Sequence, residues 1–193
     1  MVDASDSLSL NDVTFVKLFI KSVGDFFRIA DFSSHVSVVL AGSNVSDVIA
    51  LNKTGADKFK FREAVDKVVK PLGGEWSVNR GLQMIKKRVF TEENGMRPFL
   101  PRIVLVVTSG KPGNGNDIQH QIKNLTDVGA KVYMVSVGDV ARQDELMRMI
   151  RSESSYMYQV RNFQELTSLA SFISKDICRK KYHGIQKLFS KKT

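Results

Sequence analysis

The sequence has few of the residues and motifs that define several classes of protein. Its 193 residues include one cysteine, Cys178, so no disulfide can form within the chain. No apolar run approaches the roughly 18 residues that a membrane-spanning helix needs, and His35, His120 and His183 lie far apart without metal-ligand spacing. A Gly-x-Ser-x-Gly elbow and a phosphate-binding loop are also absent. These absences argue against membrane-spanning proteins, zinc modules and the common serine hydrolases.

Positive charge is concentrated at one end of the chain. The formal net charge is +9, from 29 basic and 20 acidic residues. Six of the basic residues lie in 179–193, which contains no acid, so residues 1–178 are nearly balanced. A domain with nearly balanced charge does not favour nucleic acid as a partner. We predict one domain over 1–178 and a basic tail over 179–193, and the tail suits contact with a sulfated glycosaminoglycan or an anionic membrane.

Strand-like and helix-like segments alternate along the chain. Near-continuous apolar runs at 103–108 and 132–137 predict strands covered on both faces. Shorter apolar segments at 36–40, 47–51 and 156–160 predict further strands. Apolar residues at helical spacing predict helices over roughly 11–29, 61–69, 78–89, 118–125, 146–150 and 163–177.

This alternation predicts a doubly wound α/β fold, with an open, mostly parallel six-stranded sheet and helices on both faces. The turn at 42–44 joins two short strands as a hairpin, which makes one edge strand antiparallel. Only Met1 and Val2 remain to form the first strand. We therefore expect that strand to be truncated and the chain to be part of a longer polypeptide.

A loop near the start of the chain carries one carboxylate and two hydroxyls, from Asp3, Ser5 and Ser7. Hard cations such as Mg²⁺ prefer oxygen ligands of this kind. The neighbouring Asp6 is expected to face solvent because it is adjacent to Ser5. Serine and aspartate also form turns and cap helices, so a cap for the helix at 11–29 is the simpler interpretation of this loop alone.

The order of the later segments makes the chain resemble a von Willebrand factor type A domain over essentially its whole length. The loop at 3–7 resembles the first segment of that family's metal-ion-dependent adhesion site. Gly73-Gly74, followed by a helix with Gly81-Leu82, resembles the second segment, and the strand and turn at 103–110 resemble the third. Finer similarities to the A domains of collagen VI alpha chains lie at 89–91, 95–97, 100–102 and 159–166.

Two of the three metal-site segments depart from the family pattern. Where the family has Thr-Asp-Gly, this chain has Thr108-Ser109-Gly110, so one carboxylate is lost. The hydroxyl of the second segment falls on Ser77 when counted from Gly73-Gly74, and on Trp76 when counted back from Gly81. Both registers remain open. The resemblance therefore implies a degenerate site, with no metal or weakly bound Mg²⁺, formed by Asp3, Ser5, Ser7, Ser77 and Ser109.

The resemblance also implies a function, that of a non-enzymatic protein-interaction module in a secreted extracellular matrix protein. Its partners would be collagens, other matrix proteins or neighbouring A domains. They would dock on the loops around the metal site, where Trp76, Lys111 and Asn114 are candidate contacts. In the family, a cysteine upstream of the first strand often pairs with one at the position of Cys178.

Three Asn-x-Ser/Thr sequons, at Asn44, Asn52 and Asn124, favour a secreted glycoprotein. Two alternatives stay open. One is a functional Mg²⁺-dependent adhesion domain that binds a carboxylate of its ligand. The other is an intracellular or enzymatic α/β protein, since doubly wound folds support many chemistries.

Overall fold

The computed structural model describes residues 1–75, 77–109, 115–138 and 155–189. Within these ranges the helices and strands follow the predicted order. They are β1 Val2–Asp3, α1 Leu10–Phe26, β2 Val38–Ala41, β3 Val45–Ile49, α2 Lys58–Val68, α3 Val78–Met84, β4 Arg102–Thr108, α4 Gly115–Thr126, β5 Ala130–Val137, β6 Ser155–Val160 and α5 Leu166–Phe189.

The described strands form one six-stranded sheet in the order β3-β2-β1-β4-β5-β6. Only the β2–β3 pair, the predicted hairpin, is antiparallel. The short strand β1 lies at the centre, where Val2 pairs with Leu40 of β2 and Val107 of β4. The predicted fold class is confirmed, including the antiparallel edge strand.

Apolar side chains alternate between the two faces of the sheet and form a core on each face. One core packs α1, α2 and α5 against the sheet, with Phe19, Phe61 and Tyr133 fully buried. The other packs α3 and α4 against the opposite face, with Leu82 and Ile118 fully buried. Helices on both faces explain why the sequences of β4 and β5 are nearly continuous apolar runs.

Several helix boundaries differ from those predicted. Helix α1 ends at Phe26 rather than near Ile29, because Ile29 pairs with Ser34 in an isolated bridge. Helix α3 continues as a π-helical turn, Ile85–Val89, and so fills the predicted span. Helix α5 follows a 3₁₀ turn, Phe163–Glu165, and runs as a helix to Phe189. The helix predicted at 146–150 lies outside the described residues.

The proposed boundary between the domain and the basic tail, at 178/179, lies inside α5. Cys178 is half-buried on this helix and its thiol is free. In the part of the chain that the structure describes, no helix is both long and apolar enough to cross a membrane.

Candidate functional site

The loop at 3–7 leaves the carboxyl end of β1 and folds around the carboxylate of Asp3. Asp3 is the last residue of β1 and is only 1% exposed. Its Oδ1 accepts hydrogen bonds from the Ser5 backbone N–H at 3.0 Å and from Ser5 Oγ at 2.6 Å. This pattern, in which an aspartate accepts from the residue two positions ahead, stabilises the turn that leads into α1.

The other carboxylate oxygen of Asp3 binds two further serines. Asp3 Oδ2 accepts from Ser7 Oγ at 3.1 Å, from the Ser109 backbone N–H at 3.3 Å and from Ser109 Oγ at 3.1 Å. Ser7 Oγ also lies 2.8 Å from Ser5 Oγ and 3.1 Å from Ser109 Oγ. Asp3, Ser5, Ser7 and Ser109 therefore form one hydrogen-bonded group, which we call the Asp3 cluster.

Sheet topology brings the members of the Asp3 cluster together. Strands β1 and β4 are parallel neighbours, and Val2 pairs with Val107. Asp3 and Ser109 therefore both emerge at the edge where the parallel strands end, which we call the carboxyl edge. Open α/β sheets bind their ligands at this edge.

The start of α1 is fixed separately from the Asp3 cluster. Ser9 caps the helix by accepting from the Asp12 backbone N–H, and the Asp12 carboxylate accepts from the Ser9 N–H in return. This reciprocal capping box satisfies two N–H groups at the helix end. The simpler interpretation, in which Asp3 and its serines cap α1, is therefore wrong, because Ser9 and Asp12 perform that role.

The Gly73-Gly74 segment is attached directly to the loop at 3–7. The Leu72 and Gly73 N–H groups donate to Ala4 O at 2.6 and 3.2 Å, and the Asp6 N–H donates to Gly74 O at 3.1 Å. Gly74 has φ +69°, and a Cβ at this position would lie 2.5 Å from the Ser43 Cβ. Glycine is therefore required at position 74 by both backbone conformation and space.

Ser77 lies at the start of α3, where its side chain acts as a helix cap. Ser77 Oγ accepts from the Arg80 backbone N–H at 3.4 Å. Among the described contacts, the side-chain hydrogen bonds of the Asp3 cluster do not extend to Ser77. The structure thus brings four of the five predicted metal-site residues together, and a role for Ser77 at that site remains a prediction.

Arg80 is a positioning residue that sequence reasoning missed. Its guanidinium donates to Ser43 O at 3.2 Å and to Gly42 O at 3.3 Å, which ties α3 to the β2–β3 turn. Ser43 in turn donates its N–H to Gly73 O at 2.6 Å. No local sequence pattern could reveal this contact, because Ser43 and Gly42 lie 37 and 38 residues before Arg80 in the sequence.

The Asp3 cluster has hydroxyl groups and a single carboxylate, but no nitrogen base or thiol. Within the described ranges, no salt bridge includes Asp3, and no group of three His, Cys, Asp or Glu side chains is close enough to hold a metal ion. Asp6 is exposed beside the cluster, as expected. In the part of the chain that the structure describes, hydrogen bonds from Ser5, Ser7 and Ser109 therefore stabilise the buried Asp3 carboxylate.

The remaining predicted site residues are dispersed. Asn44 is exposed on the β2–β3 turn, whereas Asn52 and Asn124 are half-buried on other parts of the surface. The candidate contacts Trp76, Lys111 and Asn114 lie outside the described residues, so their roles as partner contacts stay predictions.

The chain is similar to a matrilin and to a collagen chain over more than nine-tenths of its length. Chicken matrilin-3 is 27% identical over 183 residues, which are 92% of this chain and 39% of that protein. The human collagen alpha-5(VI) chain is 25% identical over 180 residues, 93% of this chain and 7% of the collagen chain. The chain therefore spans less than half the length of these relatives.

A solved structure has the same fold. It is that of proximal thread matrix protein 1 from the mussel byssus, with zinc in its MIDAS motif, and it superposes with a TM-score of 0.79 at 24% identity. The match covers 90% of this chain and 46% of the mussel chain. The family profile for the von Willebrand factor type A domain matches residues 1–172. The chain thus belongs to the von Willebrand factor type A domain family.

Proposed function

We propose that this chain is a non-enzymatic protein-interaction module of an extracellular matrix protein, and that its carboxyl edge contacts partners without a metal ion. The observation that carries the proposal is the Asp3 cluster, in which five N–H and O–H groups satisfy the carboxylate of Asp3. An edge that is stabilised in this way keeps its shape without a cation.

The donor set of the Asp3 cluster fits a tightly bound divalent cation poorly. Affinity in oxygen sites depends on the number and charge of the ligands, and this set has one negative charge and three neutral hydroxyls. The serine hydroxyls are oriented as donors towards Asp3. Ser109 contributes a neutral donor at the position where the family pattern has aspartate. We therefore propose that the metal site is degenerate.

The relatives support an extracellular setting for the module. Their names include a collagen chain and a thread matrix protein. We infer that collagens or neighbouring A domains are the partner class, and that the protein is secreted. Both inferences concern this chain alone, since it matches only a part of each relative.

Metal dependence is tested by calorimetric titration of Mg²⁺ into the wild-type protein and the Ser109→Asp and Asp3→Ala variants. We expect no binding with a Kd below about 1 mM for the wild type or for Asp3→Ala. Ser109→Asp restores a second carboxylate beside Asp3 and is expected to bind Mg²⁺ measurably. Wild-type binding below that level, lost in Asp3→Ala, would instead establish the alternative of a functional Mg²⁺-dependent adhesion domain.

Partner binding is tested by surface plasmon resonance over immobilised collagens, in Mg²⁺ and in EDTA. We expect equal binding in both buffers. Asp6→Arg places a long basic side chain on the carboxyl edge and is expected to abolish binding. Glu63→Arg, an equal charge change at an exposed position of α2, is the matched control and should bind normally. Equal loss in both variants, or loss in EDTA alone, would contradict the proposal.

A further inference from the structure

We propose that Asn44 is the N-glycosylated residue among the three sequons, and that its glycan borders the carboxyl edge of the sheet. The inference rests on the proposed secretion of the protein. In the reaction, Asn44 Nδ2 bonds to the anomeric carbon of an oligosaccharide, while the bond from that carbon to its lipid pyrophosphate carrier breaks. Nδ2 loses one proton, and the lipid pyrophosphate leaves.

Asn44 has the position that a glycan requires. It belongs to the sequon Asn44-Val45-Ser46 and is exposed in the tight turn between β2 and β3. Its own carbonyl accepts the Gly42 N–H at 2.9 Å, which closes the turn. The bond holds the backbone of the turn, so a sugar on the exposed side chain does not displace any core residue.

Asn52 contacts another loop, at Glu93 and Asn94. Its Nδ2 donates to Glu93 O at 3.4 Å, and its backbone N–H donates to Asn94 O at 3.2 Å. Its Cβ would lie only 3.0 Å from a Cβ built on Gly95, so the two loops are in close contact. A glycan on Asn52 would need to occupy this contact, and its bond to Nδ2 would replace one of the two N–H groups there.

Asn124 is packed on the surface of α4. Its side chain is half-buried and its Nδ2 lies 3.4 Å from Nδ1 of His120, one helical turn away. The next residue, Leu125, is fully buried in the core. The sequon hydroxyl, on Thr126, donates to Lys123 O at 2.9 Å. A sugar at this position would have to displace the packed side chain from the helix surface.

Contacts around the β2–β3 turn fix where the Asn44 glycan lies. Ala41 pairs with Asp3 across the β1–β2 register, so Asn44 lies three residues beyond the partner of the buried carboxylate. The turn is held by Arg80 and by the Ser43 N–H bond to Gly73 O. The glycan therefore projects beside Gly73 and shields the β2 side of the carboxyl edge.

This placement restricts how a partner can approach. A glycan on Asn44 does not cover the β4 side of the edge, where Ser7 and Ser109 lie. A partner docking over the Asp3 cluster would thus contact the β4 side, while a footprint that extends over the β2–β3 turn is excluded by the glycan. Occupancy of Asn44 becomes a steric regulator of the proposed binding surface.

The experiment is expression of the full chain behind a secretion leader in mammalian cells, followed by intact mass and site mapping after enzymatic deglycosylation. We expect one glycan on the wild type and its complete loss in Asn44→Gln. Ser46→Ala keeps Asn44 but removes the sequon and should also lack the glycan. Asn52→Gln and Asn124→Gln should retain it. A glycan at either of those residues, or none at Asn44, overturns the inference.

Collagen binding of the same preparations separates this inference from the proposed function. A glycan at Asn44 together with an absence of binding in glycosylated and deglycosylated protein supports the site and contradicts the function. Binding by a secreted protein without glycan contradicts the site and supports the function. If both hold, a partner selected for a large footprint should bind the deglycosylated protein more tightly than the glycosylated one.

Discussion

The carboxyl edge of the sheet and the opposite amino edge differ in how their side chains are placed. At the carboxyl edge, polar groups bind one another and the carboxylate of Asp3 is 1% exposed. At the opposite edge, where the parallel strands begin, aromatic rings face solvent. Phe32 precedes β2 and Phe99 precedes β4, and both are essentially fully exposed. Phe59, in the first turn of α2, is also largely exposed.

The loops of this amino edge are held through their backbones rather than through their apolar side chains. Arg97 donates to the carbonyls of Asp31 and Ser33, on either side of Phe32. Arg102 donates to Pro98 O at 2.8 Å and to Val128 O. Arginine bonds to carbonyls therefore order these loops, while the rings of Phe32 and Phe99 stay exposed.

The contrast separates sites that the fold depends on from sites that it does not. Substitutions at the carboxyl edge break contacts that hold several loops together. Substitutions of the exposed rings at the amino edge remove no described packing. The following three predictions test this contrast, from the largest expected effect to the smallest.

Gly74→Ala is expected to destabilise the protein most. A residue with a side chain in this left-handed conformation costs about 1–3 kcal/mol, and its Cβ would also clash with Ser43 at 2.5 Å. The free energy of unfolding in urea, followed by circular dichroism, measures the loss. Gly138→Ala is the matched control, since Gly138 has φ +107° but no heavy atom within 4 Å of the added Cβ. Equal losses in both variants would show that the contact with Ser43 contributes nothing.

Asp3→Ala is expected to lower the free energy of unfolding by about 1–3 kcal/mol, because it leaves buried donors without an acceptor. The same urea titration measures it, in buffer with EDTA so that no cation contributes. Asp6→Ala, an exposed carboxylate in the same loop, should change stability by less than about 0.5 kcal/mol. A stable Asp3→Ala variant would mean that the cluster does not hold the carboxyl edge together.

The double variant Phe32→Ser, Phe99→Ser should leave stability within about 0.5 kcal/mol of the wild type. Both rings are exposed, so their removal exposes no core. Thermal unfolding and urea titration should agree on this result. A loss comparable to that of Asp3→Ala would show that the two edges contribute equally to the fold.

Sequence reasoning predicted the mostly parallel sheet because most of its strands have a local apolar pattern. The hairpin, the covered strands β4 and β5 and the buried face of α1 all follow from periodicity. The proximity of Asp3 and Ser109 followed from the resemblance, since parallel neighbouring strands end at one edge.

Features that depend on long-range contacts were not predictable. The capping role of Ser77 and the bonds of Arg80 depend on where α3 begins relative to the β2–β3 turn. The end of α1 depends on the bridge between Ile29 and Ser34, which overrides helical spacing. Differences among the three sequons also required the structure, because burial and loop contacts are not encoded in the motif.

The stacked tyrosines beneath α5 give the molecule an optical signal at alkaline pH. The rings of Tyr133 and Tyr156 lie 4.8 Å apart, and Tyr158 donates to the carboxylate of Asp176. Burial raises the pKa of Tyr133 and Tyr158 above the ordinary phenol value of about 10. In the folded protein both phenols stay protonated at a pH where the unfolded chain ionises them, so stability falls as pH rises above that value. The ultraviolet absorbance of phenolate at these two positions therefore rises at a lower pH in the unfolded chain than in the folded protein, and it reports the alkaline unfolding of the β5–β6 side of the sheet.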